Sequence, residues 1–372
     1  MSAPVVAPSE SEALPTIAGY THRVASHCET GSVRNLCAFA GLEVTEPMVF
    51  GIGSGPLFYY LFFAKGPSTF PLIGIRTPPG TVVKNFGALC GIDLQATQLS
   101  SPREAMARAD ALLAEGVPVT ATVDMFRMKY LPSFLRVHAP FHFIVLIGRD
   151  GDRYVVSDPY SEKVALLDRA DLEAAWETHA PLAKDNLLCY LRAVPSAVDW
   201  KRAVVRALKR TCGDMLGPPL VAPALWFVGV AGMRTYAKKI RQWPARYRGV
   251  ALREGMIFNA IAFEDQGTGG AAFRLMYGAF LQEASRLFDS RELDELAQRM
   301  IEHGRAWRTT SRKLVTLTRG MPMEDQAWPD WFAAHGEELR SGLDAVGGKF
   351  EEFAAVEERF YRDLRAAASR LA

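Results

Sequence analysis

Cys28, His142 and Asp158 are the residues whose types and placement could together perform nucleophilic chemistry. Cys28 stands in SHCETGSVRNLCAF, where Val33, Leu36, Cys37 and Ala40 recur at the spacing of an amphipathic helix that starts near Cys28 and ends at Gly41. A helix N-terminus carries partial positive charge and N–H groups without helical partners. A thiol there is favoured as the nucleophilic thiolate. The same N–H groups can hold the oxyanion of a tetrahedral intermediate. Such a nucleophile needs a base, and the base needs a group that orients it. His142 opens the strand-like run HFIVLIG and Asp158 closes RYVVSD. A tight hairpin centred on Asp150-Gly151 sets the two opposite one another, where Cβ atoms lie about 4.5–5.5 Å apart. The carboxylate can then accept one imidazole N–H and turn the other nitrogen to the thiol.

The other candidates divide by context. His22 and His27 are rival bases, and His27, adjacent to Cys28, could instead line the site and touch substrate. His138 falls outside the hairpin register; His179, His303 and His335 sit in polar, helical stretches and read as surface residues. Cys37, Cys90 and Cys189 read as small buried apolar residues. With no H-E-x-x-H and no short-range acidic pair, no metal site is expected. Two glycine-rich stretches, FGIGSGP (50–56) and DQGTGGAAF (265–273), lack both the full dinucleotide fingerprint and a Walker lysine. The first suits close packing or a substrate-lining loop. The second precedes an amphipathic helix marked by Phe273, Met276, Tyr277 and Phe280; it reads as a capped start whose N–H groups could face an anion. His27, Glu29, Ser54 and Glu264 are accordingly candidate substrate-binding residues.

These groups need a scaffold, and the first half of the chain supplies mixed signals for one. Ser101, Pro102 and Glu104 open a second helix that runs to Gly116. Strand-like runs cover 57–64, 117–123, 142–148, 153–158, 163–167 and 187–194, with turns at Asp150-Gly151-Asp152 and Asp158-Pro159. From about Asp199 strand signals vanish, and residues 351–371 are helical by propensity and period. The expected architecture is α+β: a tail over 1–20, an α+β catalytic domain over 21–197 and a mainly helical domain over 198–372 that serves as lid and docking surface.

The 372 residues suit two domains, and 49% hydrophobic with 23% charged excludes a disordered chain, a collagen or a rod. Five scattered cysteines make no disulfide framework, and the first twenty residues lack a signal-peptide pattern, so a reducing cytoplasm is expected. The uncharged run Met215–Met233 is long enough for a membrane helix but is broken by Pro218, Pro219 and Pro223, so a buried loop and helix are expected instead. The net charge is only +2, yet residues 201–253 carry twelve Lys or Arg against Asp214 alone, a local +11. That block either docks an anionic partner, with Arg234, Lys238, Lys239 and Arg241 foremost, or pairs with the acidic C-terminal helices. No nucleic-acid motif accompanies it.

The order helix-start Cys, strand His, then Asp after the next strand resembles the papain-like fold, most of all its bacteriocin-leader-peptidase branch. HCETGSVRNLCAFAGLEVTEPMVFGIGSG is similar to the N-terminal signature of the butirosin-biosynthesis protein H family, and FEDQGTGGAAFRLMYGAFLQEA resembles its helical C-terminal domain. The resemblance spans nearly all of the chain after residue 20. It implies an acyltransferase of natural-product assembly with Cys28 as nucleophile, His142 as base and Asp158 as orienting carboxylate. The donor would be an acyl group on the phosphopantetheine arm of an acidic acyl- or peptidyl-carrier protein, the acceptor a small-molecule amine, with no tightly bound cofactor. The peptidase branch places a glutamine shortly before its cysteine as oxyanion donor; residues 20–27, YTHRVASH, contain none. A cysteine peptidase, amidase or thioester hydrolase using the same three residues is the first rival, and a non-catalytic carrier-binding protein the second.

Overall fold

The computed structural model describes residues 14–65, 70–178, 183–217, 226–264 and 267–371. The first half runs α1 (Cys28–Phe39), α2 (Glu46–Ile52), the antiparallel pair β1 (Pro56–Lys65) and β2 (Pro71–Arg76), then α3 (Thr81–Cys90). It continues through β3 (Asp93–Gln98), α4 (Pro102–Ala114), β4 (Val119–Val123), β5 (His142–Asp150), β6 (Arg153–Ser157), β7 (Ala165–Asp168), α5 (Arg169–Ala175) and β8 (Leu187–Ala193). Among the described residues the elements that follow are helices: α6 (Trp200–Leu216), α7 (Gly229–Ile240), α8 (Trp243–Arg246), α9 (Gly249–Glu264), α10 (Arg274–Phe288), α11 (Arg291–Leu317) and α12 (Trp328–Arg370). The chain is α+β with a helical second half, as the sequence predicts.

Strands β3-β8-β4-β5-β6-β7 form one antiparallel six-stranded sheet. Alternation along β5 faces Phe143, Val145 and Ile147 to the core that holds α1, and Ile144 and Leu146 to a second core under α4 and α5. Both faces are thus covered, which explains why β5 reads as an unbroken apolar run. The first core does not stop at the sheet. It continues through Leu208, Tyr236, Phe350 and Leu364 of the helical half, so the two halves share one apolar interior. The β1–β2 pair belongs to that shared zone: Tyr60 N–H donates to Phe227 O at 2.9 Å and Trp243 Nε1 to Tyr60 Oη at 3.3 Å.

Local signals hold where they are strong. Ser101 accepts from Glu104 N–H at 3.2 Å, and Glu104 in turn accepts from Ser100 Oγ at 2.6 Å, a closed cap on α4. Two expectations change. The tail predicted over 1–20 is bound from Leu14 onward: Ile17 N–H donates to Ile147 O at 2.7 Å, and Tyr20 Oη to Ser157 Oγ at 3.1 Å. In the β5–β6 hairpin Asp150 faces Arg153, and a bulge at Ile147 shifts the pairing so that Val145 faces Ser157. Continuing that ladder brings Tyr160, not Asp158, opposite His142. Part of the uncharged run, 218–225, lies outside the described residues; among those described, no helix is long and apolar enough to cross a membrane.

Candidate active site

Cys28 is the first residue of α1, and the chain before it is tied down on two sides. Glu46 of α2 accepts the N–H groups of Ser26 and His27, each at 3.1 Å. Ala25 N–H donates to Pro159 O at 2.9 Å, which joins the entry of α1 to the segment after β6. Gly31 permits this: a Cβ there would overlap Ala25 and press on Pro159 at 3.3 Å. The helix mouth and the Asp158–Tyr160 turn are therefore held together by backbone.

His142, the first residue of β5, pairs with Val123 on β4 and points its Nε2 at Asp158, 3.0 Å from Oδ1 and 2.9 Å from Oδ2. Asp158 also accepts Tyr130 Oη–H and Tyr160 N–H, both at 2.8 Å. His142 and Asp158 are both buried. Burial opposes charge on the imidazole, but the Asp158 carboxylate and, less strongly, the Cys28 thiol outweigh it and raise His142 to about 10. Burial pushes the Asp158 carboxyl up, yet His142 and the three donated hydrogen bonds bring it below its ordinary value. Since Nε2 is taken by Asp158, the nitrogen left for the thiol is Nδ1. Cys28 also neighbours Tyr160, whose ring lies 4.9 Å from that of His142. The three residues singled out in the sequence converge, although the direct cross-strand facing predicted for the His–Asp pair is replaced by a diagonal one.

Two tyrosines of this site carry no sequence signal. Tyr130 comes from the long β4–β5 connection and Tyr160 from the turn after Asp158. Their hydroxyls stay protonated, because burial pushes both well above the ordinary tyrosine value.

The rival histidines are engaged elsewhere. His22 meets Ser157 Oγ at 2.7 Å and Ser161 O at 3.0 Å, and His138 meets Asp124 at 2.8 Å. His27 is buried at the helix mouth, where Nδ1 caps α1 by accepting from Thr30 N–H at 3.4 Å. Glu29 does not line a substrate site. It is fully buried, with Arg76 Nη1 at 2.6 Å and the N–H groups of Gly80 and Val83 at 3.1 and 3.3 Å, and it locks α1 to β2 and α3. Ser54 is likewise sealed in the turn after α2, at φ 54°. The glycines around it serve close packing: Cβ atoms at Gly51, Gly53 and Gly55 would overlap Phe280, Val82 and Phe50. Glu264 accepts from Arg308 Nε at 3.0 Å. His303, read as a surface residue, is buried and hydrogen-bonds Glu357 at 2.9 Å; His335 is exposed, and His179 lies outside the described residues.

The second glycine-rich stretch covers the helix mouth. A side chain at Gly267 would overlap the Tyr160 hydroxyl and come 3.5 Å from His27 Cδ2. Ala271, Ala272 and Phe273 all take left-handed backbone, an arrangement in place of the capped helix start expected there. Phe273 stacks on Phe50 at 4.7 Å and meets His27 edge-on at 4.9 Å. Arg274 holds the turn by donating to Ala272 O at 2.7 Å while its other nitrogens pair with Glu357, each at 3.0 Å.

Of the four basic residues expected to dock a partner, Arg234 pairs with Glu358, and Arg241 with Asp344 at 2.8 Å and Glu351 at 2.5 Å. Those two follow the alternative of pairing with the C-terminal helix; Lys238 is exposed and Lys239 half-buried. Among the described residues no group of three His, Cys, Asp or Glu is placed to hold a metal ion. The arrangement is that of a nucleophilic thiol with an imidazole beside it and a carboxylate behind.

Residues 27–159 match the family model described as butirosin biosynthesis protein H, N-terminal, and residues 170–364 match one described as a domain of unknown function, DUF4872. No curated protein matches the sequence. A solved C39-like peptidase from Bacillus anthracis resembles the chain with a TM-score of 0.34 and 13% identity, over 48% of this chain and 98% of that one. A likeness that loose supports no statement about the site.

Proposed function

We propose, from the premise that the chain belongs to the butirosin biosynthesis protein H family, that it is a cysteine acyltransferase that moves an acyl group from a carrier-protein thioester to an amine. The observation that carries this reading is the Cys28–His142–Asp158 line at a helix mouth roofed by the helical half. With Asp158 holding His142 as the imidazolium, Nδ1 already carries the proton of the Cys28 thiol, and the sulfur attacks the thioester carbonyl as the thiolate. Collapse of the tetrahedral adduct breaks the bond to the pantetheine sulfur, which leaves as a thiol with the proton from His142. An amine then attacks acyl-Cys28, His142 takes the amine proton, and the C–S bond breaks to give the amide. One thioester and one amine become one thiol and one amide. Asp158 fixes the imidazole and stabilises its charge throughout.

Water is the competing acceptor. A roof of Gly267–Phe273 over His27 and Tyr160, the neighbours of Cys28, limits the approach of bulk solvent and so favours a bound amine over hydrolysis. The pantetheine arm belongs to the partner and calls for no resident cofactor. For an acidic carrier, the cations of α6 are the better surface: Lys201, Arg202, Arg206, Lys209 and Arg210 are all exposed. Intact-mass spectrometry against a panel of acyl-loaded carrier proteins tests the reading. The expected result is an acyl adduct that is lost in Cys28→Ala and discharged by added amines. An adduct discharged only by water turns the reading to a hydrolase, and Cys28 that no donor labels and iodoacetamide does not alkylate turns it to a non-catalytic protein.

A further inference from the structure

We propose that His27 is the side-chain donor of the oxyanion hole, its Nε2–H filling the place for which residues 20–27 offer no glutamine. The inference rests on the reading of Cys28 as an acyl-accepting nucleophile and assigns a further catalytic residue to it. His27 Nδ1 is engaged on the protein side: it meets Thr30 Oγ1 at 3.1 Å and accepts Thr30 N–H as the cap of α1. A ring nitrogen that accepts carries no proton, so in the neutral ring the proton sits on Nε2. That nitrogen is buried and has no hydrogen-bond partner among the described residues. A buried donor left without an acceptor is costly and rare, and calls for a reason. An oxygen that becomes negative only during the reaction supplies one.

The position fits. His27 immediately precedes Cys28, and its Cδ2, bonded to Nε2, lies 3.5 Å from where a Cβ at Gly267 would stand. The Tyr160 hydroxyl takes up that position, where it would overlap such a Cβ, and Tyr160 neighbours Cys28. Phe50 at 6.2 Å and Phe273 at 4.9 Å hold the ring edge-on, so the donor is fixed before substrate arrives. Burial, with Arg76 and His142 nearby, keeps the ring neutral well below the ordinary imidazole range, so it donates a hydrogen bond without giving up the proton. In the step itself the sulfur forms a bond to the carbonyl carbon and the π pair moves to oxygen. That oxygen accepts the His27 Nε2–H bond, and the pair returns as the leaving thiol departs with the proton of His142.

The test compares two reactions of Cys28 in the full-length protein. An S-acyl N-acetylcysteamine thioester acylates through an oxyanion; iodoacetamide alkylates by displacing iodide and forms none. His27→Asn keeps a capping acceptor but lacks the reach of Nε2. It should acylate about 100- to 1,000-fold more slowly, the loss typical of one oxyanion donor, while alkylation stays within about threefold. His27→Gln, which restores an N–H, should recover part of the acylation rate. Equal acylation of wild type and His27→Asn overturns the inference. So does an equal loss in both reactions, which would place His27 in thiol activation or folding. So does a loss in Tyr160→Phe with none in His27→Asn. Wild-type Cys28 that alkylates but accepts no acyl group overturns the acyl-enzyme reading itself, and the inference falls with it.

Discussion

Asp158→Asn isolates what the carboxylate does for His142, provided the thiol is first removed. In a Cys28→Ala background the smaller contributions of Cys28 to the imidazole vanish and no thiol titrates at this position. His142 lies at about 10, against an ordinary value near 6.5. That displacement corresponds to a net differential stabilisation of the imidazolium on the order of 4–5 kcal/mol, what remains once Asp158 and, less strongly, Cys28 have overcome burial. The folded pKa is raised, so the stabilisation is complete below about pH 6.5 and is lost as pH climbs toward 10. Across that window the folded protein holds one proton more than the unfolded chain, and stability should fall by about 1.4 kcal/mol per pH unit. With Asn in place of Asp158 the burial penalty is left uncompensated, the imidazole is neutral throughout, and this slope disappears. Urea unfolding of both proteins from pH 6 to 9.5 gives the difference directly. Parallel curves for the two would refute the assignment of the raised imidazole to Asp158.

Three further outcomes follow from the same structure. Glu357→Gln leaves Arg274 buried without its counter-charge, and removing one partner of such a pair costs about 3–5 kcal/mol; urea unfolding should register that loss, and in wild type the contribution should be full above about pH 4.5 and drain away as pH falls to about 2, where Arg274 and His303 hold the Glu357 carboxyl against the push of burial. Glu29→Gln should also lower stability, by breaking the buried pair with Arg76, while leaving the preference among amine acceptors unchanged in a competition assay. Charge reversal at Arg206, Lys209 and Arg210 should raise KM for an acyl-carrier protein at least tenfold and flatten its salt dependence, while acylation by a small thioester proceeds as before.

Much of the site was legible because its three members carry local signals: a cysteine entering an amphipathic helix, and a histidine and an aspartate flanking a hairpin. The register was not, because the bulge at Ile147 and the placement of Gly151 in the turn shift the ladder without any distinctive residue to announce them. Glu29 reads as an acid favouring a helix dipole; only its partner Arg76, on the short strand PLIGIR that the sequence did not reveal, makes it structural. His303 and Glu357 are 54 residues apart on different helices, and their pairing depends on how α11 lies against α12. The roof was hidden for a different reason. Glycines at 267, 269 and 270 advertise unusual backbone, but nothing in the types of Ala271, Ala272 and Phe273 announces three successive left-handed residues.

Those three residues say how the halves of the molecule depend on one another. Left-handed backbone costs a residue with a side chain roughly 1–2 kcal/mol, and strain of that kind persists only where the surroundings over-determine it. Here the surroundings reach from the last helix to His27, beside Cys28. Glu357 of α12 holds Arg274, Arg274 holds the Ala272 carbonyl, and Phe273 is pressed between Phe50 and the ring of His27. The roof over Cys28 is therefore a set conformation fixed by the buried charges of the helical half. Discrimination between an amine and water at an acyl-Cys28 would then be decided by residues more than two hundred positions away in sequence. Cutting the chain at the composition change near Asp199 would not free a simpler catalytic domain, because the cut would remove the roof and expose the core that both halves share.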